Sequence, residues 1–234
     1  MCGGPSIGLA RHVVPVSNSW SPTLLTTVLD SKVKYLAMPH ILCIPGAFST
    51  CAVFNYLRIQ VPHSTWTGVN YNHHARVQTA IQHLLQVFDQ QPSKFHVIAH
   101  SMGGLLALHT IDHEKVLSVC TISTPLKGLP YYWWQKWVFS HRLLYDVHEH
   151  QDWIQAIHTK VYHKPVHHLI STMGDNPWHS QPNDGVITID SQLKTVGSHV
   201  CIATNHWEIL MHDQTVQELN NWYVDTHCSN CSQS

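Results

Sequence analysis

A serine with small neighbours lies between a run of β-forming residues and a helical apolar pattern. The segment at 99–104 reads AHSMGG, after β-formers from Phe95 and before apolar residues that continue to His109. A strand that turns this sharply into a helix strains the serine backbone, and small residues two positions before and after the serine avoid a clash. An ordinary Ser/Gly turn is the alternative. The flanking strand and helix patterns favour Ser101 as a nucleophile, with the Met102 N–H as an oxyanion donor.

A nucleophilic serine needs two partners elsewhere in the chain. A histidine must take the hydroxyl proton, and a carboxylate must fix the tautomer of that histidine. In chains with this kind of turn, the partners follow in the order Ser, Asp, His. The segment Asn183-Asp184-Gly185-Val186 follows one apolar run, and His206 follows the last one. We therefore expect Asp184 as the acid and His206 as the base.

Other residues compete for both roles. Asp175 lies nearer the end of the preceding apolar run, so it is a rival acid. His199 and His212 are rival bases, although His199 would begin a strand and His212 lies further downstream.

The apolar run His40 to Ile44 ends at Pro45-Gly46-Ala47-Phe48. A glycine-containing turn at a strand end, one β-α unit ahead of the nucleophile, is where this architecture places its second oxyanion donor. We expect the Ala47 N–H in that role, with Phe48 beside it as a substrate contact. An ordinary Pro-Gly turn is the alternative.

Strand and helix patterns alternate along most of the chain, which predicts an α/β fold with a doubly wound, mostly parallel sheet. Ligands bind at the carboxyl ends of the strands in such sheets, where Ser101 is expected. Besides the elements above, the patterns predict strands at 65–71, 116–123, 166–173 and 199–203 and helices at 49–59, 75–91 and 213–224.

The alternation lapses over 126–165, where the sequence is rich in aromatic residues. We interpret this stretch as a cap inserted over the site, with Trp133, Trp134 and Trp137 covering an apolar acyl group. A helical aromatic stripe that belongs to the core is the alternative. Residues 1–39 are rich in Ser, Pro and Thr and are expected to form an irregular arm of a single domain spanning 1–234.

The AHSMGG segment and the positions of Asp184 and His206 resemble the α/β-hydrolase superfamily, in particular its bacterial-type triacylglycerol lipases and esterases. The resemblance runs from about His40 to Val224 and implies a serine hydrolase that cleaves carboxylic esters through an acyl-enzyme. These lipases usually have His-Gly where this chain has Pro45-Gly46. Some bind calcium near the acid and base, for which Asp190 and Asp213 are the nearest candidates here, although no ligand-rich loop is evident.

The same residue types serve related functions. A thioesterase, lipid amidase, haloperoxidase or acyltransferase would use the same serine, histidine and aspartate. A non-catalytic hydrolase-fold protein could instead hold an apolar ligand or partner under its aromatic cap. We expect a small-molecule or lipid ester as substrate, with transient contact to a lipid interface.

Composition excludes several other classes. The formal net charge is −1 and the pI is about 7.1, so neither nucleic acid nor an anionic membrane is an expected partner. No basic leader with an apolar core and no run of eighteen apolar residues is present, so we expect a cytoplasmic protein. The chain has 22 histidines, yet none has the H-E-x-x-H spacing of a helical zinc site, and no metal or cofactor is expected.

Five of the seven cysteines fall into two groups. Cys43, Cys120 and Cys201 lie within apolar runs and are expected to be free, buried side chains. Cys228 and Cys231 have the C-x-x-C spacing in a polar tail, where a disulfide is the plausible pairing.

Overall fold

The computed structural model describes residues 39–61, 64–129, 146–148, 150–193 and 197–231. The predicted N-terminal arm lies outside these residues except for Pro39. Much of the predicted cap also lies outside them, including Trp133, Trp134 and Trp137.

The described chain forms a six-stranded sheet in which every pairing is parallel, with the strand order β2-β1-β3-β4-β5-β6. This confirms the predicted α/β fold with a doubly wound parallel sheet. The strands are β1 (His40–Ile44), β2 (Thr65–Gly68), β3 (Phe95–His100), β4 (Val116–Ile122), β5 (Val166–Ser171) and β6 (Ser198–Ile202).

Helices connect the strands and cover both faces of the sheet. Two short 3₁₀ helices, Cys51–Phe54 and Glu208–Met211, precede α-helices. The α-helices are α1 (Asn55–Gln60), α2 (Val77–Asp89), α3 (Met102–Thr110), α4 (Asp152–Thr159), α5 (Ile189–Gln192) and α6 (Asp213–Cys231).

Two apolar clusters form the core, one on each face of the sheet. Alternate side chains of a strand point to opposite faces, so Val97 and Ala99 of β3 enter one cluster and Ile98 enters the other. Helix α2 covers the first face through Leu84 and Phe88, both fully buried. Helix α6 covers the second face through Leu219 and Trp222, as its apolar spacing predicted.

The central unit β3-α3 is buried on all sides. Every residue of β3 is buried, and seven consecutive residues of α3, from Met102 to Leu108, are buried as well. The sequence of α3 is apolar all round, and a helix of that kind is stable only when it is enclosed. The nucleophile candidate at the junction therefore lies between two fully enclosed elements.

The junction between β3 and α3 has the strained geometry that the small residues predicted. Ser101 has a φ of 53° and a ψ of −126°, in a region that residues with a Cβ rarely adopt. Gly103 makes the turn sterically feasible, because a Cβ at this position would collide with the Ile44 and Pro45 carbonyl oxygens at the end of β1. Gly104 likewise leaves room for the Thr124 side chain beyond β4.

One burial expectation was wrong. Cys201 is exposed, whereas Cys43 and Cys120 are buried and free as expected. Strand β6 lies at the edge of the sheet. Val200 and Ile202 face the apolar cluster that α6 covers, and Cys201 points to the opposite face.

Two element ends differ from the sequence prediction by three residues or more. Strand β2 ends at Gly68, because the residues after it turn away to hydrogen-bond the loop that follows β1; the Tyr71 hydroxyl donates to the Pro45 carbonyl at 3.1 Å. Helix α6 continues to Cys231, so the C-x-x-C pair lies on a helix and not in an irregular tail. The side chains of that pair lie outside the described residues.

Replacing Gly103 by alanine should destabilise the fold. The new methyl group would meet two backbone carbonyls that cannot rotate away, and overpacking of this kind costs about 1–3 kcal/mol. Urea unfolding followed by circular dichroism should show a lower midpoint with an unchanged slope. An unaltered midpoint would contradict the close approach of α3 to β1.

Candidate active site

Three strand ends bring the predicted nucleophile, acid and base together at one edge of the sheet. Ser101 follows β3, Asp184 lies in the loop between β5 and α5, and His206 follows β6. All six strands run parallel, so their carboxyl ends share this edge.

The three side chains form a continuous hydrogen-bonded chain. Ser101 Oγ lies 3.1 Å from His206 Nε2, and His206 Nδ1 lies 2.8 Å from Asp184 Oδ2. With the proton on Nδ1, His206 donates to the carboxylate and presents a lone pair at Nε2 to the serine hydroxyl. A serine in this arrangement can lose its proton to the histidine as it attacks an electrophilic carbon.

The Asp184 carboxylate is fully buried and accepts hydrogen bonds at both oxygens. Oδ1 accepts from the backbone N–H groups of Val186 at 2.9 Å and Ile187 at 2.7 Å. Oδ2 accepts from Ser171 Oγ at 2.5 Å and Gln192 Nε2 at 3.1 Å, besides His206. These donors keep the carboxylate ionised and fix its direction.

The pKa of Asp184 reflects a balance between burial and the groups that stabilise its negative charge. Burial alone would raise it, but the hydrogen bond and charge of His206, followed by the hydrogen bonds from Ser171 and Ile187, outweigh burial and place the pKa below its ordinary value. Asp184 is therefore an anion at neutral pH, as is required of a group that orients a histidine.

Sequence reasoning did not identify Ser171 and Gln192, which hold the acid in place. Gln192 also spans the end of β5, because its Nε2 donates to the Ser171 carbonyl and its Oε1 accepts from the Ser171 N–H. Ser123, at the end of β4, hydrogen-bonds Ser171 Oγ at 2.7 Å. These residues lie in separate segments with no shared motif, so no sequence signal could have linked them.

His100 connects the serine turn to the histidine loop. Its Nε2–H donates to the His206 backbone carbonyl at 2.9 Å, and its ring lies 4.8 Å from the His206 ring. Burial, followed by the nearby His206 ring, lowers the pKa of His100 to about 3. His100 is thus a neutral donor that fixes the backbone of the base.

The turn that carries Ala47 lies directly against Ser101. A Cβ at Gly46 would come within 2.9 Å of Ser101 Cβ, so only glycine fits there. Ala47 is partly buried, and Phe48 follows with a φ of 58° and a side chain that is 52% exposed. In the described part of the chain, no group accepts a hydrogen bond from the backbone N–H of Ala47 or of Met102.

The rival acid and bases lie outside this arrangement. Asp175 is exposed and lines a depression of about 640 Å³ with Asn205 and Glu208, and Ser101 does not line that depression. His199 is exposed on β6, and His212 accepts at Nδ1 from the Gln214 backbone. The depression is therefore separate from the serine.

The two calcium candidates have other partners. Asp190 pairs with Lys127, and Asp213 accepts from the Tyr56 hydroxyl. Within the described ranges, no three His, Cys, Asp or Glu side chains are grouped so that they could hold a metal ion.

A family model for a PGAP1-like alpha/beta domain matches residues 60–174. Solved structures match over more of the chain. The mature Bacillus licheniformis lipase BlEst2 has a TM-score of 0.61 at 13% identity, over 80% of this chain and 93% of the lipase. The fold matches those of known α/β-hydrolases. The chain has the α/β-hydrolase fold.

Other structural neighbours share this fold. A structure from work on carboxylesterases of the thaumarchaeon Nitrososphaera gargenis has a TM-score of 0.61 at 11% identity, over 82% of this chain and 92% of that one. The metagenomic carboxyl esterase MGS0156 has a TM-score of 0.60 at 12% identity over 74% of this chain. The match spans 65% of that esterase's own length.

No curated protein matches the sequence. In the described ranges, no helix has the length and apolar character needed to cross a bilayer.

His100 should make the stability of this protein depend on pH. An unfolded histidine titrates near about 6.5 and the folded one at about 3, so between these values the unfolded chain binds a proton that the folded chain does not. The contribution of His100 to the free energy of unfolding is complete above pH ~6.5 and falls by ~1.4 kcal/mol per pH unit as pH drops towards 3.

Urea unfolding at several pH values between 7 and 5 measures this slope. The slope of the free energy of unfolding against pH reports how many more protons the unfolded chain binds than the folded chain. His100→Gln, whose amide can still donate to the His206 carbonyl, should lower that number by about one. His199→Gln at an exposed position is the matched control and should keep the wild-type slope. Equal slopes in wild type and His100→Gln would show that His100 is not buried as a neutral ring.

Proposed function

We propose that this protein is a serine hydrolase that cleaves carboxylic esters through an acyl-enzyme on Ser101. The observation that carries the proposal is the hydrogen-bonded chain from Ser101 through His206 to the buried Asp184 carboxylate. The printed descriptions of the structural neighbours as a lipase and carboxylesterases support the same class of reaction.

In the first half-reaction, His206 Nε2 takes the proton from Ser101 Oγ as this oxygen bonds to the ester carbonyl carbon. The carbonyl oxygen becomes an anion that the Ala47 and Met102 N–H groups stabilise; in support, these two donors have no other acceptor in the described structure. The C–O bond to the alcohol then breaks, and His206 gives its proton to the departing oxygen.

In the second half-reaction, water replaces the alcohol. Neutral His206 takes a proton from this water, whose oxygen attacks the acyl carbon, and the same N–H groups stabilise the second anion. The bond to Ser101 Oγ breaks, and the proton on His206 returns to the serine. Asp184 stays ionised throughout and stabilises the imidazolium that forms twice in each cycle.

We infer that the substrate has an apolar acyl group. Two exposed aromatic side chains lie in the segments that carry the proposed machinery: Phe48 follows Ala47, and Trp207 follows His206 with its ring 46% exposed. The Trp207 ring lies 5.3 Å from the His206 ring and 5.2 Å from the His100 ring. Aromatic surface beside a polar reaction centre suits an apolar chain joined to a polar ester. It also suits transient contact with a lipid interface.

Replacing Ser101 by alanine should abolish the chemistry and preserve the fold. Hydrolysis of p-nitrophenyl esters should fall by on the order of 10⁴–10⁶-fold, because only oxyanion and binding contributions would remain. Labelling by a fluorophosphonate probe should disappear with it. Ser180→Ala, at an exposed position, is the control and should label like wild type.

Hydrolysis that persists in purified Ser101→Ala would refute the proposed nucleophile. A parallel series of p-nitrophenyl esters, thioesters and anilides separates an esterase from a thioesterase or an amidase. Labelling without turnover of any of these would indicate a binding protein or an acyltransferase.

The two candidate acids should respond differently to amidation. Asp184→Asn should lower kcat by on the order of 10³–10⁴-fold, since an amide cannot hold the required histidine tautomer. Asp175→Asn should leave kcat near the wild-type value, because this side chain is exposed and apart from His206. Steady-state kinetics of both variants, with circular dichroism to check folding, tests the ranking. The reverse order would assign the acid to Asp175.

A further inference from the structure

Two cysteines flank the turn that carries Ala47. Cys43 lies in β1 and is 4% exposed, and Cys51 begins the 3₁₀ helix after the turn and is partly exposed. Both sulfur atoms approach Gly68 of β2: a Cβ there would lie 2.9 Å from Cys51 Sγ and 3.7 Å from Cys43 Sγ. The turn is thus bracketed by two thiols that share one small space.

The absence of a side chain at Gly68 creates that space. A Cβ at this residue would also lie 2.6 Å from Cys51 Cβ, closer than two carbon atoms can approach. Any larger residue would force Cys51 away from Cys43. Gly68 therefore allows the two sulfur atoms to face each other.

The two thiols already interact. Cys51 Sγ donates to the Cys43 carbonyl oxygen at 3.3 Å, and both sulfur atoms lie beside Gly68. The hydrogen bond from Cys43 lowers the pKa of Cys51, and the same bond followed by burial raises the pKa of Cys43. Cys51 is therefore the thiolate former and the more accessible of the two, which are the properties of an attacking cysteine.

We propose that Cys43 and Cys51 are a redox-sensitive pair that a peroxide converts to an intramolecular disulfide, and that this bond regulates the site by moving the Ala47 turn. The regulatory part rests on the proposed hydrolase function. The bond formation itself is independent of it.

The oxidation proceeds in two balanced steps. The Cys51 thiolate attacks one oxygen of hydrogen peroxide and becomes a sulfenic acid, as the O–O bond breaks and the other oxygen leaves as hydroxide and is protonated to water. Cys43 sulfur then attacks Cys51 sulfur, the S–O bond breaks, and the oxygen leaves as a second water with the Cys43 proton. Two thiols lose two electrons and two protons in total, and peroxide accepts them.

The turn between the cysteines is fixed at both ends, so a new bond must change it. At the start of the turn the Tyr71 hydroxyl donates to the Pro45 carbonyl at 3.1 Å. At its end the Cys51 N–H donates to Asn70 Oδ1 at 2.9 Å, and His73 Nε2 contacts the Ser49 carbonyl at 3.0 Å. A disulfide brings its sulfurs to about 2.05 Å, closer than hydrogen-bonded thiols. Cys51 must then leave the Cys43 carbonyl and move towards β1, which displaces the turn from Ser101.

The experiment uses the full-length protein, first reduced and then exposed to hydrogen peroxide. Remaining thiols are alkylated after denaturation, and the protein is digested without reductant. We expect a linked pair of peptides containing Cys43 and Cys51, with a mass that is two hydrogen atoms lower than the sum of the two reduced peptides. Recovery of both cysteines in alkylated form, or of Cys51 only as a sulfinic acid, would overturn the proposal.

The effect on the site is read in two ways. Oxidised protein should show altered amide hydrogen exchange over residues 44–51, and its kcat for a p-nitrophenyl ester should fall by roughly tenfold or more, because loss of a single oxyanion donor costs on the order of 10²–10³-fold. Dithiothreitol should restore both. A disulfide that forms without changing kcat or exchange would overturn the regulatory claim.

Variants separate this pair from other oxidation targets. Cys51→Ser and Cys43→Ala should each keep their starting activity under peroxide, whereas Cys201→Ser, at an exposed site on β6, should be inactivated like wild type. Inactivation of Cys51→Ser at the wild-type rate would place the damage elsewhere, for example at Met102, and overturn the proposal. A reduced wild type without ester hydrolysis would overturn the hydrolase function alone, because peptide mapping and exchange still report on the disulfide and the turn.

Discussion

The arrangement of this protein depends on the burial of one ionised carboxylate. Asp184 has no exposed surface, and an isolated charge in such a position would cost many kcal/mol. Two backbone N–H groups, a serine, a glutamine and His206 together offset this cost. Because the donors come from β5, the acid loop and α5 as well as the segment after β6, the carboxylate fixes how these segments meet.

The same interaction determines where the candidate base can be. His206 is bound to Asp184 twice, through its ring and through its backbone N–H, which donates to the Asp184 carbonyl at 2.9 Å. His100 holds the His206 carbonyl from the opposite side. The ring is therefore oriented before any substrate arrives, and orientation in advance is what an acid-base group needs for efficient proton transfer.

Strain at the candidate nucleophile is supported by packing around it. Ser101 keeps an unfavourable positive φ because β3 and α3 are buried on every side and cannot relax independently. Gly46 and Gly103 let the β1 turn and the helix approach this point. The proposed cysteine pair lies at the ends of that turn, so oxidation would act on the close contact between Gly46 and Ser101.

The local features could be predicted from the amino-acid sequence: the strand and helix pattern, the small residues around Ser101, and the order Ser, Asp, His. These follow from backbone sterics and apolar periodicity, which operate within about a dozen residues. Only the tertiary structure placed Asp184 and not Asp175 beside His206, and gave Ser171, Gln192 and His100 their roles. It also exposed Cys201 and brought Cys43 to Cys51. Such relations depend on which distant segments share a strand end or a sheet edge, and they are set by burial of charge and packing across the whole domain.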